Sequence, residues 1–594
     1  MAFSDNYREV QRMEHSLMSS DEPSYALGNF TQFVFDNADF NVATINGHNT
    51  FHSMGGIACV TPPGSVNCFP VKRVINVPSA TETGFFGKIP IKRYNKPVVP
   101  GLQTTAAPLE KPNSELQCVK TAAVLDALWS AGYILELTPC ALWNGFMKVA
   151  THSNTFEQTR IEILPFINLD PSNPSTIYTA LCFAQDQCDR KGLKVCPVTF
   201  DQPLYIKAAE IVAAKEELNK VIVRLGGFHL LMSYMGSIGY IMTGSGLSDL
   251  WERVYAKGSV VHMLTGHAFT RAVRAHILTF SALICVLLQT PGCLDKLDTE
   301  NLKKIYQDTL RDSGGDFDVT DASSVQELCQ LISNCLKNAS NESRTGKLWV
   351  QYIDQVNIML NFIRAERTGD WFLHLNSVKA MLSHFHAAGH LPYAKSARLY
   401  LQQMEALPNT MPHDEYVLFA EKGFFTVRRS SAFWGGNYTD QTIEQFLMRM
   451  LKSSGGMTHG RGITDSTLTK WVHALPCCIP ICDALEKFTG VHSCTSEQHK
   501  DLRPSSQSRD FKDHVTFLEW FRAHPPFSGY EPHRLVSLST GIVADASVNC
   551  DDALKIGYTA AAKVVGQKFT EVKLHRNDKV KTIGYKDTCV KVRG

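Results

Sequence analysis

The sequence has no uninterrupted apolar stretch of the ~20 residues that a helix needs to cross a bilayer. Its longest apolar run, about Ile277 to Leu288, falls short and is expected to be a buried core helix. A charged-then-apolar leader is lacking as well. The 17 cysteines are odd in number and follow no framework spacing, so reduced thiols in an intracellular chain are expected. Excess charge of either sign is missing too. The 59 Lys and Arg against 57 Asp and Glu leave a formal net charge of +2, so any DNA-binding face has to be local. No run of five or more basic residues marks nuclear import, and no internal repeat is visible.

What is present is the balance of an ordinary globular protein, 44% hydrophobic and 20% charged residues. The 594 residues allow roughly three or four folding units. QFVFD, Gln32 to Asp36, is a short strand-like run ending in an acid. Thr61 to about Pro112 is rich in Pro, Gly and Thr and reads as loops with short strands. Leu116 to Trp143 turns helical, and Arg160 to Phe166 is strand-like.

The most regular stretch follows. A helix opens at Pro174-Ser175 and runs past Ala184 and Cys188, Gly192 breaks it, and Leu193 to Phe200 reads as a strand ending at Asp201. A helix over Leu204 to Leu218 and a strand over Lys220 to Leu225 precede Gly226-Gly227. This order implies an α/β layer with parallel neighbours. From Phe228 to about Leu407 helical periodicity is nearly continuous, interrupted by an acidic loop at Asp312 to Asp321. Beyond Pro412 come strand-like FFTVRR (Phe424 to Arg429), a turn at Gly435-Gly436, and a helix from about Thr439 through Lys452, with the Thr439 hydroxyl as its expected N-cap. Past Trp471 the chain reads as mixed helix and loop to about Pro526, and Val564 to Gly594 is basic without clear periodicity.

An acid at the end of a buried strand is costly unless it is paired, hydrogen-bonded or metal-bound, which singles out Asp36 and Asp201. Carboxylates from neighbouring strands hold the ions of two-metal nucleases and strand-transfer enzymes, and Mg²⁺ prefers such oxygens. The plainer role for either acid is to cap a turn or the next helix. Asp39 competes with Asp36, but three positions along a continuing strand would turn it to the opposite face.

The stretch VTFDQPLYIKAAEIVAAKEELNKVIVRLGGFHLLM resembles the second-aspartate block of DDE-type transposases, in which a strand ends in Asp, a helix and strand follow, and a His comes shortly after. Asp201 and His229 hold those positions. VFDNADFNVATINGHNTFHSMG, FHLLMSYMGSIGYIMTGSGL, GDWFLHL, AAGHLPYAKSARLYLQQM and TVRRSSAFWGGNYTDQTIEQFLMRMLKSSGGMTHGRG are similar to a multi-copy group of transposon-like proteins of animal genomes, from about Asn6 to Gly594.

The resemblance implies an α/β RNase H-like core, a mixed sheet flanked by helices, interrupted by a large all-α insertion. It assigns residues 1–60 and 151–227 to the first two parts of the core, 61–150 to a connecting region and 228–412 to the insertion. Residues 413–470 become the last part of the core, and 471–594 a C-terminal region with a basic tail. A third carboxylate is then expected on a helix beyond the insertion, where Glu444 stands in TIEQFLMRM; an acid favoured by the helix dipole near Arg449 is the plainer account of it. The implied activity is metal-dependent DNA phosphodiester cleavage or strand transfer, with Mg²⁺ or Mn²⁺ in a two-metal site on Asp36, Asp201 and Glu444 and His229 beside it. DNA as partner, a homo-oligomer and nuclear residence go with that activity.

Arg428 and Arg429, with Lys452 and Arg461, form the local basic cluster that could neutralise DNA phosphates, and Trp434 could stack on a base or anchor the core. His384, His386 and His390, and the Cys/His-rich stretch Cys477 to His499, are candidate zinc ligands without a standard spacing. Gly236 to Gly246 is Gly-rich like a phosphate loop, yet lacks the Lys-Ser/Thr ending and fits close helix packing better. About 35 residues precede Asp36, too few for the DNA-binding module that transposases commonly carry there, which raises the prospect of an inactive or truncated copy. The competing expectation is a non-catalytic domesticated transposon protein, a nucleic-acid- or protein-binding scaffold.

Overall fold

The computed structural model describes residues 6–18, 29–41, 50–62, 73–85, 88–137, 140–151, 156–289, 293–295, 297–311, 322–448, 488–489 and 500–584. Its centre is a five-stranded mixed sheet, so the chain is α/β, with many helices around that sheet. Strand β1 (Phe30–Asn41) pairs antiparallel with β2 (Thr50–Thr61), from Phe30 opposite Thr61 to Asn41 opposite Thr50. β3 (Arg160–Ile167) adds antiparallel to β2. β4 (Cys196–Phe200) and β5 (Val221–Leu225) add parallel on the other side, giving the order β3-β2-β1-β4-β5.

β1 extends well beyond the expected Gln32 to Asp36, and β2 went unassigned in the sequence because Gly55-Gly56 reads as a turn. Packing explains both glycines. A Cβ on Gly56 would lie 2.6 Å from the Phe35 ring, and one on Gly55 2.9 Å from Leu447. The strand therefore keeps two residues of poor strand propensity where neighbouring side chains cross it.

Helix α1 (Gln117–Ile134) precedes the sheet's second half, in which α2 (Pro174–Arg190) joins β3 to β4 and α3 (Gln202–Ala214) joins β4 to β5. Asn173 caps α2 by accepting from the Ser175 amide, with Pro174 in the first helical position. Residues 88–113 run extended over these helices, and side chains take up their backbone donors: Lys92 N to Thr179 Oγ1 (2.9 Å), Tyr94 N to Ser175 Oγ (3.1 Å) and Asn113 N to Asn376 Oδ1 (2.7 Å).

Between Gly227 and Tyr416 the described residues contain helices and no strand. The main ones are α4 (Gly227–Ile241), α5 (Lys257–Leu264), α6 (Phe269–Leu288), α7 (Ser323–Glu342), α8 (Arg344–Thr368), α9 (Trp371–Ala388) and α10 (Leu391–Glu405). The expected acidic loop at 312–321 lies outside the described residues. Helix α6 is, at 20 residues and a hydropathy of 1.6, long and apolar enough to cross a membrane, but 78% of its most apolar window is buried in the fold. It is the core helix expected, longer than the apolar run because Arg271, Arg274 and His276 interrupt the pattern. The Gly-rich stretch is close packing: a Cβ on Gly239 would meet the Leu264 carbonyl oxygen at 2.0 Å.

Beyond the helices a two-residue ladder pairs β6 (Val427–Arg428) with β7 (Gly436–Asn437), and α11 (Thr439–Ile443) follows. A single π-helical turn, Glu444–Met448, continues α11. Helices α12 (Pro504–Ala523) and α13 (Ala553–Ala562) close onto α6 and α9. Arg274 holds α12 to α6 through Asp510 and Asp513. Deep in the sheet Arg224 donates to Gln32 Oε1 and to the Phe425 carbonyl, both at 2.9 Å, tying β5 to β1 and to the segment before β6.

Burial pushes four histidines down, His276 and His514 to about 3 and His384 and His386 to about 4. Below the unfolded value of roughly 6.5 the unfolded chain takes protons that these rings refuse, so each lowers stability as pH falls from about 6.5 to 4. His514→Gln should flatten the fall by about 1.4 kcal/mol per pH unit in that window, read by urea denaturation at pH 7, 6 and 5. An unchanged slope would show that His514 protonates freely in the folded protein.

Candidate active site

The parallel register of β1 and β4 pairs Phe33 with Val198 and Val34 with Thr199. Carried two residues further, it sets Asp36 beside Asp201, their side chains toward the same face; Asp201 follows the last residue of β4, whereas Asp36 lies within β1 and not at its expected end, because pairing with β2 carries that strand on to Asn41. One residue earlier, Phe35 and Phe200 stack with centroids 6.0 Å apart, which holds that register in place.

Asp36 is buried opposite Gly55. Burial, then the charges of Asp201 and Glu444, push its carboxyl up to about 8, against the pull of His229 and of its bond from the Asn37 amide (2.7 Å). The side chain of Asp39 lies outside the described residues. Asp201 is also raised, first by burial, with Asp440 and Glu444 adding to it and the Leu204 amide and His229 opposing. It fills the plainer role too, since Leu204 N donates to its Oδ1 (3.3 Å) and makes it the N-cap of α3. Glu444 opens the π-helical turn and acts on both aspartates.

Sequence reasoning missed Asp440. This buried carboxylate accepts from the backbone amides of Phe228 and His229 and meets His229 Nδ1, each at 3.0 Å. It thereby caps α4, a helix more than 200 residues earlier, where the donors of the first turn would otherwise lack partners. Burial alone would discourage the His229 charge, but the bond and charge of Asp440, with the charges of Asp36 and Asp201, raise it to about 9. Asp440 itself stays ionised below its ordinary range: burial opposes, and the bond and charge of His229 and the two amides prevail. The only trace in the sequence is its place four residues before Glu444. Thr439, the expected N-cap, is instead the first residue of α11 after the cap position Tyr438, and its hydroxyl reaches Thr199 Oγ1 at 3.4 Å.

The basic cluster fares differently. Arg428 is buried, with its guanidinium spent on the carbonyls of Phe433 (2.9 Å) and Thr368 and lying 3.6 Å over the Phe156 ring. That inward packing removes it as a phosphate contact. Arg429 is exposed, and Lys452 and Arg461 lie outside the described residues, as does Arg449. Trp434 is a core anchor, donating to Asn144 Oδ1 (2.7 Å) against Trp143. His390 stands beyond the left-handed Gly389 that ends α9, and its Nδ1 meets Ser233 Oγ at 3.0 Å, so it shares no helix with His386. The stretch Cys477 to His499 is outside the described residues.

As a donor set, Asp36, Asp201 and Glu444 suit a hard divalent cation, because carboxylate oxygens are what Mg²⁺ and Mn²⁺ take. A carboxyl kept protonated near neutrality by burial and its neighbours' charges is also one that such a cation would ionise. Among the described residues no group of three or more His, Cys, Asp or Glu is spaced to hold a metal ion, so these acids share an electrostatic field without forming a closed ligand cage.

Residues 142–594 match the family described as Domain of unknown function (DUF8702), a span that includes Asp201, His229, Asp440 and Glu444 and leaves out Asp36. No curated protein and no solved structure matches the chain.

A carboxyl raised from an unfolded value near 3.9 to about 8 binds its proton more tightly in the folded state, so it costs stability as pH rises from about 4 to 8. Asp36→Asn should therefore stabilise the metal-free protein at pH 8 by a few kcal/mol, ~1.4 kcal/mol for each pH unit of the shift. Calorimetry in a chelator reads the effect, and a destabilised variant would mean that Asp36 is ionised and well solvated.

Proposed function

The chain belongs to the DUF8702 family, and we propose that it is a DDE-type, transposon-derived protein that cleaves or joins DNA phosphodiesters with Mg²⁺ or Mn²⁺ at Asp36, Asp201 and Glu444. One observation carries the reading: the β1/β4 register brings two acids 165 residues apart side by side, where each feels the charge of Glu444. The five-stranded mixed sheet supports an RNase H-like core, and the helices between Gly227 and Tyr416 support an all-α insertion. A DNA substrate would place the protein in the nucleus.

In this reading Asp36 and Asp201 offer oxygens from adjoining strands and Glu444 offers its own from the π turn. Bound ions would activate the attacking oxygen and stabilise the leaving one. The His229 imidazolium, held by Asp440, offsets carboxylate charge and favours the approach of a phosphate anion. A non-catalytic scaffold is the second reading, favoured by the lack of a closed ligand group among the described residues.

The two part on supercoiled DNA. The enzyme should nick it in Mg²⁺ or Mn²⁺ and not in chelator, and Asp201→Ala and Glu444→Ala should each lower the rate at least about 100-fold, ~3 kcal/mol of barrier. Undiminished nicking by Asp201→Ala removes this site from consideration.

A further inference from the structure

We propose that Asp440 is the positioning residue of this site, seating Glu444 and orienting His229 from one carboxylate; the inference rests on the metal-site reading above. Three bonds at 3.0 Å join Asp440 to the first turn of α4, two from backbone amides and one with the His229 ring. Those amides directly follow β5, which is paired with β4 and so with Asp201. Asp440 thus carries the position of the sheet across to α11.

Glu444, four residues on, leaves α11 from the same side of the helix. The π turn it opens matters here, because widening the helix at that point shifts the side chains that follow. With Nδ1 committed to Asp440, the His229 ring keeps Nε2–H as its remaining donor, and its charge is felt by both Asp36 and Asp201.

The fit around Asp440 is tight. A Cβ on Gly226 would stand 2.4 Å from Asp440 Oδ2, so glycine there is what lets the carboxylate reach the amides. Tyr438, two residues before, stacks on Phe362 (6.0 Å) and lies against Phe228 (6.1 Å), which fixes α11 independently of charge. Removal of the Asp440 charge should therefore spare the fold and disturb the site.

The test uses the whole chain and three readouts: thermal unfolding, Mn²⁺ affinity by calorimetry, and kcat and KM for nicking. Asp440→Asn keeps the shape and turns one acceptor into an NH₂ facing donors. It should fold, bind Mn²⁺ about 10–100-fold more weakly and lose kcat to a similar degree with KM for DNA unchanged, as supporting residues around metal ligands do. If Asp440 acts through His229, the double variant with His229→Gln should be no worse than the poorer single one. Unchanged Mn²⁺ affinity and kcat overturn the proposal, and losses that multiply in the double variant overturn its claim that Asp440 acts by orienting His229.

Should Asp440→Asn fail to fold, Gly226→Ala displaces Asp440 Oδ2 with the charge kept, and it must reproduce the weaker Mn²⁺ binding; normal affinity there overturns the proposal as well. Asp201→Ala separates the two claims. If it abolishes Mn²⁺ binding while Asp440→Asn does not weaken it, only the positioning role fails. If the wild-type chain binds no Mn²⁺, the metal-site reading fails and takes this inference with it.

Discussion

Two carboxylates held side by side on adjoining parallel strands, Asp36 within β1 and Asp201 just past the end of β4, are the constraint around which the rest of this structure is arranged. Such acids repel each other and lose their water, so something must meet the cost. Here one oxygen of Asp201 goes to the N-terminus of α3, Asp36 takes the Asn37 amide, and the His229 charge lies near both. Even so, Asp36 is left with a raised carboxyl, which is the state of a group that holds its proton near neutrality.

The surrounding packing serves that arrangement. Phe35 and Phe200 lock the register from the other face, where Gly56 leaves room for the Phe35 ring, and Gly55 leaves room for Leu447 on the face of Asp36. In the same helical run Asp440 binds α11 to the beginning of α4. Segments around Asp36, Asp201, His229 and Asp440, far apart in the chain, thus meet at one place, each held by bonds other than those the three acids could make to a metal.

Local pattern made the α2-β4-α3-β5 run readable, because helix and strand periodicities alternate there with Gly192 and Gly226 as breaks, and Asp201 could be named from it. The β2 strand could not be read, since Gly55-Gly56 speaks for a turn until the ring of Phe35 is set against it. Arg428 failed for the opposite reason. Its neighbours looked like a basic surface, and only the fold shows that its guanidinium caps carbonyls inside. Asp440 left no local sign of its partners, which lie 211 and 212 positions away.

By itself the sequence determined the alternation of elements in the α/β stretch, the helical character after Phe228, and the acids that follow the apolar runs of β1 and β4, because those follow from residue periodicity and short-range propensity. Only the tertiary structure decided which acids meet, through strand register, and which charges are spent inside, through burial. Both depend on pairs far apart in the chain, which no local pattern encodes.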